Sequence, residues 1–441
     1  MRIADYLACA LAAVLPAMAV AEPLRPVARP AVLDAARPVP VVLAQTVRPQ
    51  ARPAGVDQDG AGAGRGGAEF DAWIAGFRAR ALSRGITASV FDAAFADVRY
   101  DPEVVRRDRN QSEFTKTIWV YLETAVSEAR IRNGRAALAR HRALLERIEA
   151  EYGVRKEIVV AIWGLESAYG TFKGSKPVIG SMATLAYDGR RQRFFEAQLL
   201  AALKILQQGH TVPENMKGSW AGAMGHTQFM PTSFQSLAVD WTGDGKRDIW
   251  GEDPADALAS TAHYLKSNGW RTGVPWGVEV VVPEGFDYLQ ANREIERLPS
   301  AWARRGVVPA HGGPIPDAGV ASLLLPAGHQ GAAFLVFRNF AVLESYNTAD
   351  AYVIGVGHLA DRIAGGPPIR GGWPEADRAL TFEERIELQE RLTALGFDTR
   401  GIDAKVGPLT INAVRRFQQS QGLVPDGYAS PGLLQRVRAA G

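Results

Sequence analysis

Cysteine is almost missing from this chain: 441 residues contain one, Cys9. No internal disulfide can form, so the protein gains nothing structural from an oxidising compartment. A large excess of charge of one sign is missing too. A formal net charge of +3 gives no electrostatic case for nucleic acid as a partner. Long apolar runs are absent after residue 21, and nothing there supplies the roughly 20 apolar residues of a membrane helix. What remains is ordinary globular composition, 47% hydrophobic and 22% charged. The length suits two or three domains, each able to bury a core.

The first 21 residues read as an export signal. Arg2 precedes the apolar run YLACALAAVLPAMAVA, which ends in Ala19-Val20-Ala21 before Glu22. A short apolar run closed by small residues is a cleaved secretory signal peptide, too short for a span. Asp5 is untypical in its charged leader. A lipid-anchored Cys9 is the competing reading, and the apolar run continuing past it argues against that. The expectation is a soluble periplasmic protein. Residues 22–67 form a Pro/Ala/Gly-rich tail with seven prolines in 22–54 and neither helical nor strand period. It reads as a disordered tether, with partner binding through polyproline as the alternative.

From Phe70 the apolar residues recur at three- and four-residue spacing. FDAWIAGFRARALSRG, SVFDAAFADV, IWVYLETAVSEARIRN and RAALARHRALLERIEAEYG all show the pattern. KEIVVAIWGLESAYG, RFFEAQLLAALKILQQG and ADALASTAHYLKSNGW continue it. Between 276 and 340, WGVEVVVPEGF and AAFLVFRNF read as strands. Helix returns at DAYVIGVGHLADRI. The stretch 364–378 is a second linker, and 379–441 carries three short helical signals. The fold class is therefore mainly α (α+β): a helical domain over 68–363 with a small β-containing lobe, then a small helical unit.

The run AIWGLESAYG holds one acid, Glu166. A carboxyl against Ile162 and Trp163 has its charged form disfavoured, as a general acid at neutral pH requires. A salt-bridged surface glutamate fits the periodicity as well. Ordinary glycosidases use two carboxylates, and this run has no second one; Glu196 in RFFEAQ is the nearest candidate, and a helix-surface role explains it equally. In KGSWAGAMGHTQFMPTSF, Ser219, His226, Gln228 and Thr232 are neutral polar groups suited to an uncharged sugar or amide, although a tightly packed turn would need the same composition. In DWTGDGKRDIWGEDPAD, Asp240, Thr242 and Asp244 stand at positions 1, 3 and 5 of an EF-hand-like loop, with Gly245 at 6, the Lys246 carbonyl at 7 and Asp248 at 9. Oxygen donors in this alternation suit a hard cation such as Ca2+. Gly251 replaces the bidentate Glu at position 12, so Asp253 or Asp256 has to close the shell. Turns of this composition also occur without metal. Arg190 and Arg191 offer guanidinium donors to a carboxylate or sugar, or are surface arginines. Tyr346, Asn347 and Tyr352 cluster in SYNTADAY.

These motifs, in this order over residues 70 to 362, resemble the lytic murein transglycosylase B family, soluble type, glycoside hydrolase family 103. Residues 386–430, with LQERLTALGF and DAKVGPLTINAVRRFQ, resemble the three-helix peptidoglycan-binding domain. The resemblance implies a lysozyme-like catalytic domain whose α lobe and β-containing lobe enclose a glycan cleft. It implies cleavage of the β-1,4 bond between N-acetylmuramic acid and N-acetylglucosamine, leaving 1,6-anhydromuramic ends. Glu166 is then the catalytic acid/base, and the substrate's C6 hydroxyl replaces water. Arg190, Arg191, Ser219, Gln228, Tyr264, Tyr346, Asn347 and Tyr352 match substrate-binding positions. Asp240, Thr242, Asp244, Lys246 and Asp256 match a structural Ca2+ site, with Asp256 preferred to Asp253; two extra residues precede its last ligand. No cofactor is implied for the chemistry. His226-Thr227 departs from the Tyr-Gly of the lipoprotein branch. A hydrolytic muramidase and a non-enzymatic wall-binding scaffold are the alternatives. Peptidoglycan glycan strands are the expected partner of a monomer, with cell-wall synthesis or division proteins as candidate protein partners.

Overall fold

The computed structural model describes residues 67–109 and 116–441. The signal peptide expected at 1–21 and all of the expected tether except Gly67 lie outside the described residues. Among the described residues no helix is long and apolar enough to cross a membrane.

The helix Lys156–Ser167 buries Ile158, Val159, Val160, Ala161, Ile162, Trp163, Gly164 and Ser167. Burial all round its circumference makes it an interior helix. Glu128–Arg140, Ala255–Ser267 and Asp350–Ile363 pack against it. Two expected long helices are each broken. After Ile118–Ala125 the chain turns, and Ser127 starts Glu128–Arg140 by accepting the Arg130 amide. At His141 the next helix begins again as Arg142–Tyr152.

The β-containing lobe is a four-stranded antiparallel sheet in the order Val308–Pro309, Gly277–Val281, Ala333–Phe337, Ala321–Leu324. Val278 pairs with Leu335, and Leu323 with Leu335 on the other side. Ala333–Phe337 is buried at every position, which explains its uninterrupted apolar sequence. Trp302, Leu323, Leu335 and Phe337 form a core separate from that of the helices.

The C-terminal unit has the three expected helices, Phe382–Ala394, Pro408–Ser420 and Pro431–Ala440, around Leu388, Leu392, Val414, Phe417 and Leu434. Thr381 and Glu384 form a reciprocal cap, and Pro408 and Pro431 open their helices. The segment expected as a linker is fastened down. The Glu279 carboxylate accepts the Arg370 and Gly371 amides, Ala332 donates to the Gly372 carbonyl, and Trp373 stacks on Trp119. The unit beyond it is docked as well: Asp426 accepts from the His329 amide at 3.0 Å and faces His329 Nδ1 at 2.6 Å, while Arg415 donates to the Ala291 carbonyl.

Candidate active site

The interior helix ends in a backbone turn that few residues tolerate. Ala168 and Tyr169, at φ 49° and 59°, are left-handed, as is Gly170 at 86°. Such positions cost about 1–3 kcal/mol each unless their surroundings hold them. Here the hold is visible: Ser167 Oγ donates to the His226 carbonyl (2.5 Å) and accepts the Gly170 amide (2.9 Å). Two glycines flanking the acid, Gly164 and Gly170, make room for the chain's own rings. A Cβ on Gly164 would come within 2.6 Å of the Tyr169 ring, and one on Gly170 within 2.7 Å of the His226 ring.

This turn fixes Glu166 one residue before the end of the helix proper, half-buried on the wall of a cavity of about 2680 Å3. Its Oε1 accepts a hydrogen bond of 2.5 Å from the Tyr352 hydroxyl. Burial, reinforced by the Glu166 charge, keeps the Tyr352 phenol well above its ordinary pKa of 10, so it stays a donor. Burial does the same for Tyr346, whose hydroxyl donates to the Thr227 carbonyl (2.5 Å). Tyr264 is pushed up to about 12 by burial and donates to the Ser345 carbonyl (2.6 Å). Phe229, Tyr264 and Tyr346 meet edge to face, with centroids 4.9–6.1 Å apart. The two phenols therefore stiffen the wall, while the Tyr352 hydroxyl touches the acid.

Ser219, Gln228 and Asn347 line the same cavity, as do Tyr264, Tyr346 and Tyr352. Gln228 sits at φ 54° and spends both amide hydrogens on the Lys173 (3.1 Å) and Gly225 (2.8 Å) carbonyls. Its Oε1 is the acceptor it offers to the cavity. The arginines divide. Arg190 lines the cavity while donating to Asp108; Arg191 is not among the lining residues, and its guanidinium donates to Asp108 Oδ1 (2.5 Å) and lies over Phe195. Asp108, 3% exposed, is what this pair serves. Glu196 is an ion-pair partner of Arg80 on the surface, not a second acid.

Sequence reasoning missed a cluster in the cavity. Arg293, from the β-containing lobe, donates to Glu344 Oε2 (2.7 Å) and Asp350 Oδ1 (3.3 Å) and stacks on Phe340. Asp350 still has 38% of its side chain exposed, yet the deep cleft surrounds it with protein. That burial pushes it up to about 6, with Glu344 adding to the rise and Arg293 opposing it. Asp350 lies inside the SYNTADAY motif, but Arg293 carries no local signal. The same cavity continues along Arg378 at the end of the linker and Phe382, Lys405 and Leu409 of the C-terminal unit.

The EF-hand-like loop does not assemble the expected ligands. Among the described residues no three His, Cys, Asp or Glu side chains converge on a point that would hold an ion. Asp240 accepts the Thr242 hydroxyl and the amides of Gly243, Asp244 and Gly245, and Asp244 accepts the Lys246 amide. Such turns also accompany bound cations, so Asp256 is the deciding residue. It is 2% exposed, its Oδ1 accepts the amides of Trp241 (2.9 Å) and Thr242 (3.1 Å), and its Oδ2 accepts that of Asp248 (2.8 Å). With both lone pairs of Oδ1 taken, Asp256 cannot close a shell as a bidentate ligand. Asp253 caps the Ala255 amide.

Residues 69–361 match the family described as Transglycosylase SLT domain, and residues 382–437 match a peptidoglycan binding domain. The chain is 32% identical over 251 residues to the membrane-bound lytic murein transglycosylase B of Escherichia coli (strain K12), covering 55% of this chain and 66% of that relative. The crystal structure of SltB3 from Pseudomonas aeruginosa in complex with NAG-anhNAM-pentapeptide is similar with a TM-score of 0.82 and 52% identity, covering 84% of this chain and 100% of that one. The Escherichia coli Slt35 structure in complex with calcium is similar with a TM-score of 0.57 and 28% identity, covering 66% and 92%. With the motifs, the lysozyme-like architecture and these likenesses in agreement, the chain belongs to the SLT-domain transglycosylase family and carries a C-terminal peptidoglycan-binding domain.

Proposed function

We propose that the protein is a lytic transglycosylase that cleaves the β-1,4 bond between N-acetylmuramic acid and N-acetylglucosamine in peptidoglycan, with Glu166 as its single acid/base. The observation that carries this is the Glu166 carboxyl on the cavity wall, anchored at Oε1 by the Tyr352 hydroxyl. Protonated Glu166 gives its proton to the leaving glycosidic oxygen as the bond to the anomeric carbon breaks. The resulting carboxylate takes the proton of the muramoyl C6 hydroxyl, whose oxygen then bonds the anomeric carbon. The proton returns to Glu166 and no water is consumed. Holding the C6 oxygen beside its target is worth roughly 7–11 kcal/mol in favourable intramolecular cases. Tyr352 remains protonated throughout and fixes the carboxyl direction.

A hydrolytic muramidase needs a second carboxylate to place water or trap the sugar. Glu344 and Asp350 line the same cavity, but both are bound to Arg293. A non-enzymatic scaffold leaves the Glu166–Tyr352 pair without a purpose. Export to the periplasm rests on residues 1–21, and a monomer acting on glycan strands is the simplest assembly. Mass spectrometry of the muropeptides released by wild type and Glu166→Gln tests the reading. Anhydro-ended products from wild type, with none from a variant that still binds wall, are expected. Reducing ends would favour the hydrolase, and wall lysis by Glu166→Gln would sink the assignment.

A further inference from the structure

The loop between Asp240 and Asp256 has the spacing of a cation site and yet is filled by the chain's own groups. At its start, Asp240 gathers three loop amides; at its end, Asp256 gathers three more, from Trp241, Thr242 and Asp248. Asp248, at the ninth position, turns its Oδ1 to the amides of Trp250 and Gly251 (both 2.9 Å). Where a bidentate Glu would stand at position 12, Gly251 presents its carbonyl. That carbonyl and its neighbour are held by a positive charge: Lys173 Nζ donates to the Trp250 carbonyl at 2.6 Å and to the Gly251 carbonyl at 2.9 Å.

The second lone pair of the Gly251 carbonyl is also taken. Trp163 Nε1 donates to His226 Nδ1 (3.2 Å), which leaves the imidazole proton on Nε2, 2.8 Å from that oxygen. Burial lowers the pKa of His226, so it is present as the neutral ring this arrangement requires. Lys173 is tied to the cavity wall through its backbone, because its carbonyl accepts the side-chain amide of Gln228, a cavity residue. One residue thus joins the far end of the loop to the turn after the Glu166 helix and to a cavity residue.

We propose that the Lys173 ammonium is the resident cation of this loop. Lys173, His226 and Asp256 close it together, and the protein needs no divalent metal to hold the loop or the wall it supports. An ammonium with three donors satisfies the carbonyls at positions 11 and 12, where a bidentate Glu would otherwise close the shell, and it cannot be removed by a chelator.

The test is thermal unfolding of the full chain in excess EDTA and in millimolar Ca2+, with Tb3+ luminescence as a direct binding probe. The expected result is a melting midpoint that agrees within about 1 °C between the two conditions, with no saturable Tb3+ signal. Lys173→Met is expected to melt at least about 3 °C lower, equally in EDTA and Ca2+. A midpoint raised by about 5 °C or more in Ca2+, or Tb3+ binding that saturates at micromolar levels, overturns the proposal. So does a Lys173→Met protein as stable as wild type. If that variant does not fold, the EDTA, Ca2+ and Tb3+ measurements on wild type still decide the question.

Discussion

Glu166 and Asp256 are both acids taken out of bulk water by the same helical body, and they are treated in opposite ways. Glu166 has a phenol on one oxygen and a cavity in front of it; Asp256 has three backbone amides and no cavity. A carboxylate that accepts three backbone amides holds structure, because any change in its proton breaks bonds within the protein. One that faces a cavity can exchange a proton with a ligand while the fold stands still. The contrast separates chemistry from architecture more sharply than burial does.

The same substitution at both positions tests it. Glu166→Gln should lower wall-lytic activity by at least about 10^2–10^4-fold and leave the unfolding midpoint nearly unchanged. Asp256→Asn should do the reverse. Its new amide would face backbone N–H donors, at a cost of about 3 kcal/mol, while activity per folded molecule persists. Equal activity losses in the two variants, measured per folded molecule by circular dichroism and turbidity of wall suspensions, would erase the distinction.

Removing only the phenol that holds the acid is a smaller intervention. Tyr352→Phe should lose roughly 10–100-fold in turnover and keep wall binding, since nothing else in the Glu166 helix depends on that hydroxyl. Gly164→Ala probes the packing behind the acid. Its methyl would enter the Tyr169 ring, and denaturant unfolding should show a loss of about 1–3 kcal/mol.

The smallest expected effect is a pH dependence at Asp350. Its pKa is raised from an ordinary 3.8 to about 6, so the native state holds this proton more tightly than the unfolded chain does. Ionisation of this group therefore destabilises the fold: the effect is absent below pH 3.8, grows as pH rises and is complete above about 6. Asp350→Asn should change the pH slope of unfolding stability within that window and not outside it. A constant difference between wild type and variant from pH 3.5 to 7.5 would mean that the cleft does not perturb this acid.

Much of this was legible in advance. The strand Ala333–Phe337, the three C-terminal helices and the cavity positions of Glu166, Ser219, Gln228, Tyr346 and Tyr352 follow from local patterns or motif order. The failures share a cause. Arg191 reads as a free cation because its partner Asp108 lies far off in the chain. Arg293 sits in a loop with no pattern and acquires meaning only when the β-containing lobe folds over Asp350. Asp256 looks like a ligand because spacing places it near the loop but does not say which amides reach it first. Periodicity reports on faces and motifs report on order; neither reports which of several hydrogen-bond donors claims an oxygen.

The strap at Glu279, Arg370 and Gly371 changes how the C-terminal unit contributes to capture of a polymer. A module on a loose tether raises local concentration by an amount set by tether length, over a broad range of spacings. A module fastened beside the cleft and lining the same cavity offers its second foothold at one distance and one angle only. Strands that run along that direction gain both footholds at once, and strands crossing it gain one. Avidity in this protein is thus a measure of alignment, and lengthening the 364–378 segment would trade that discrimination for reach.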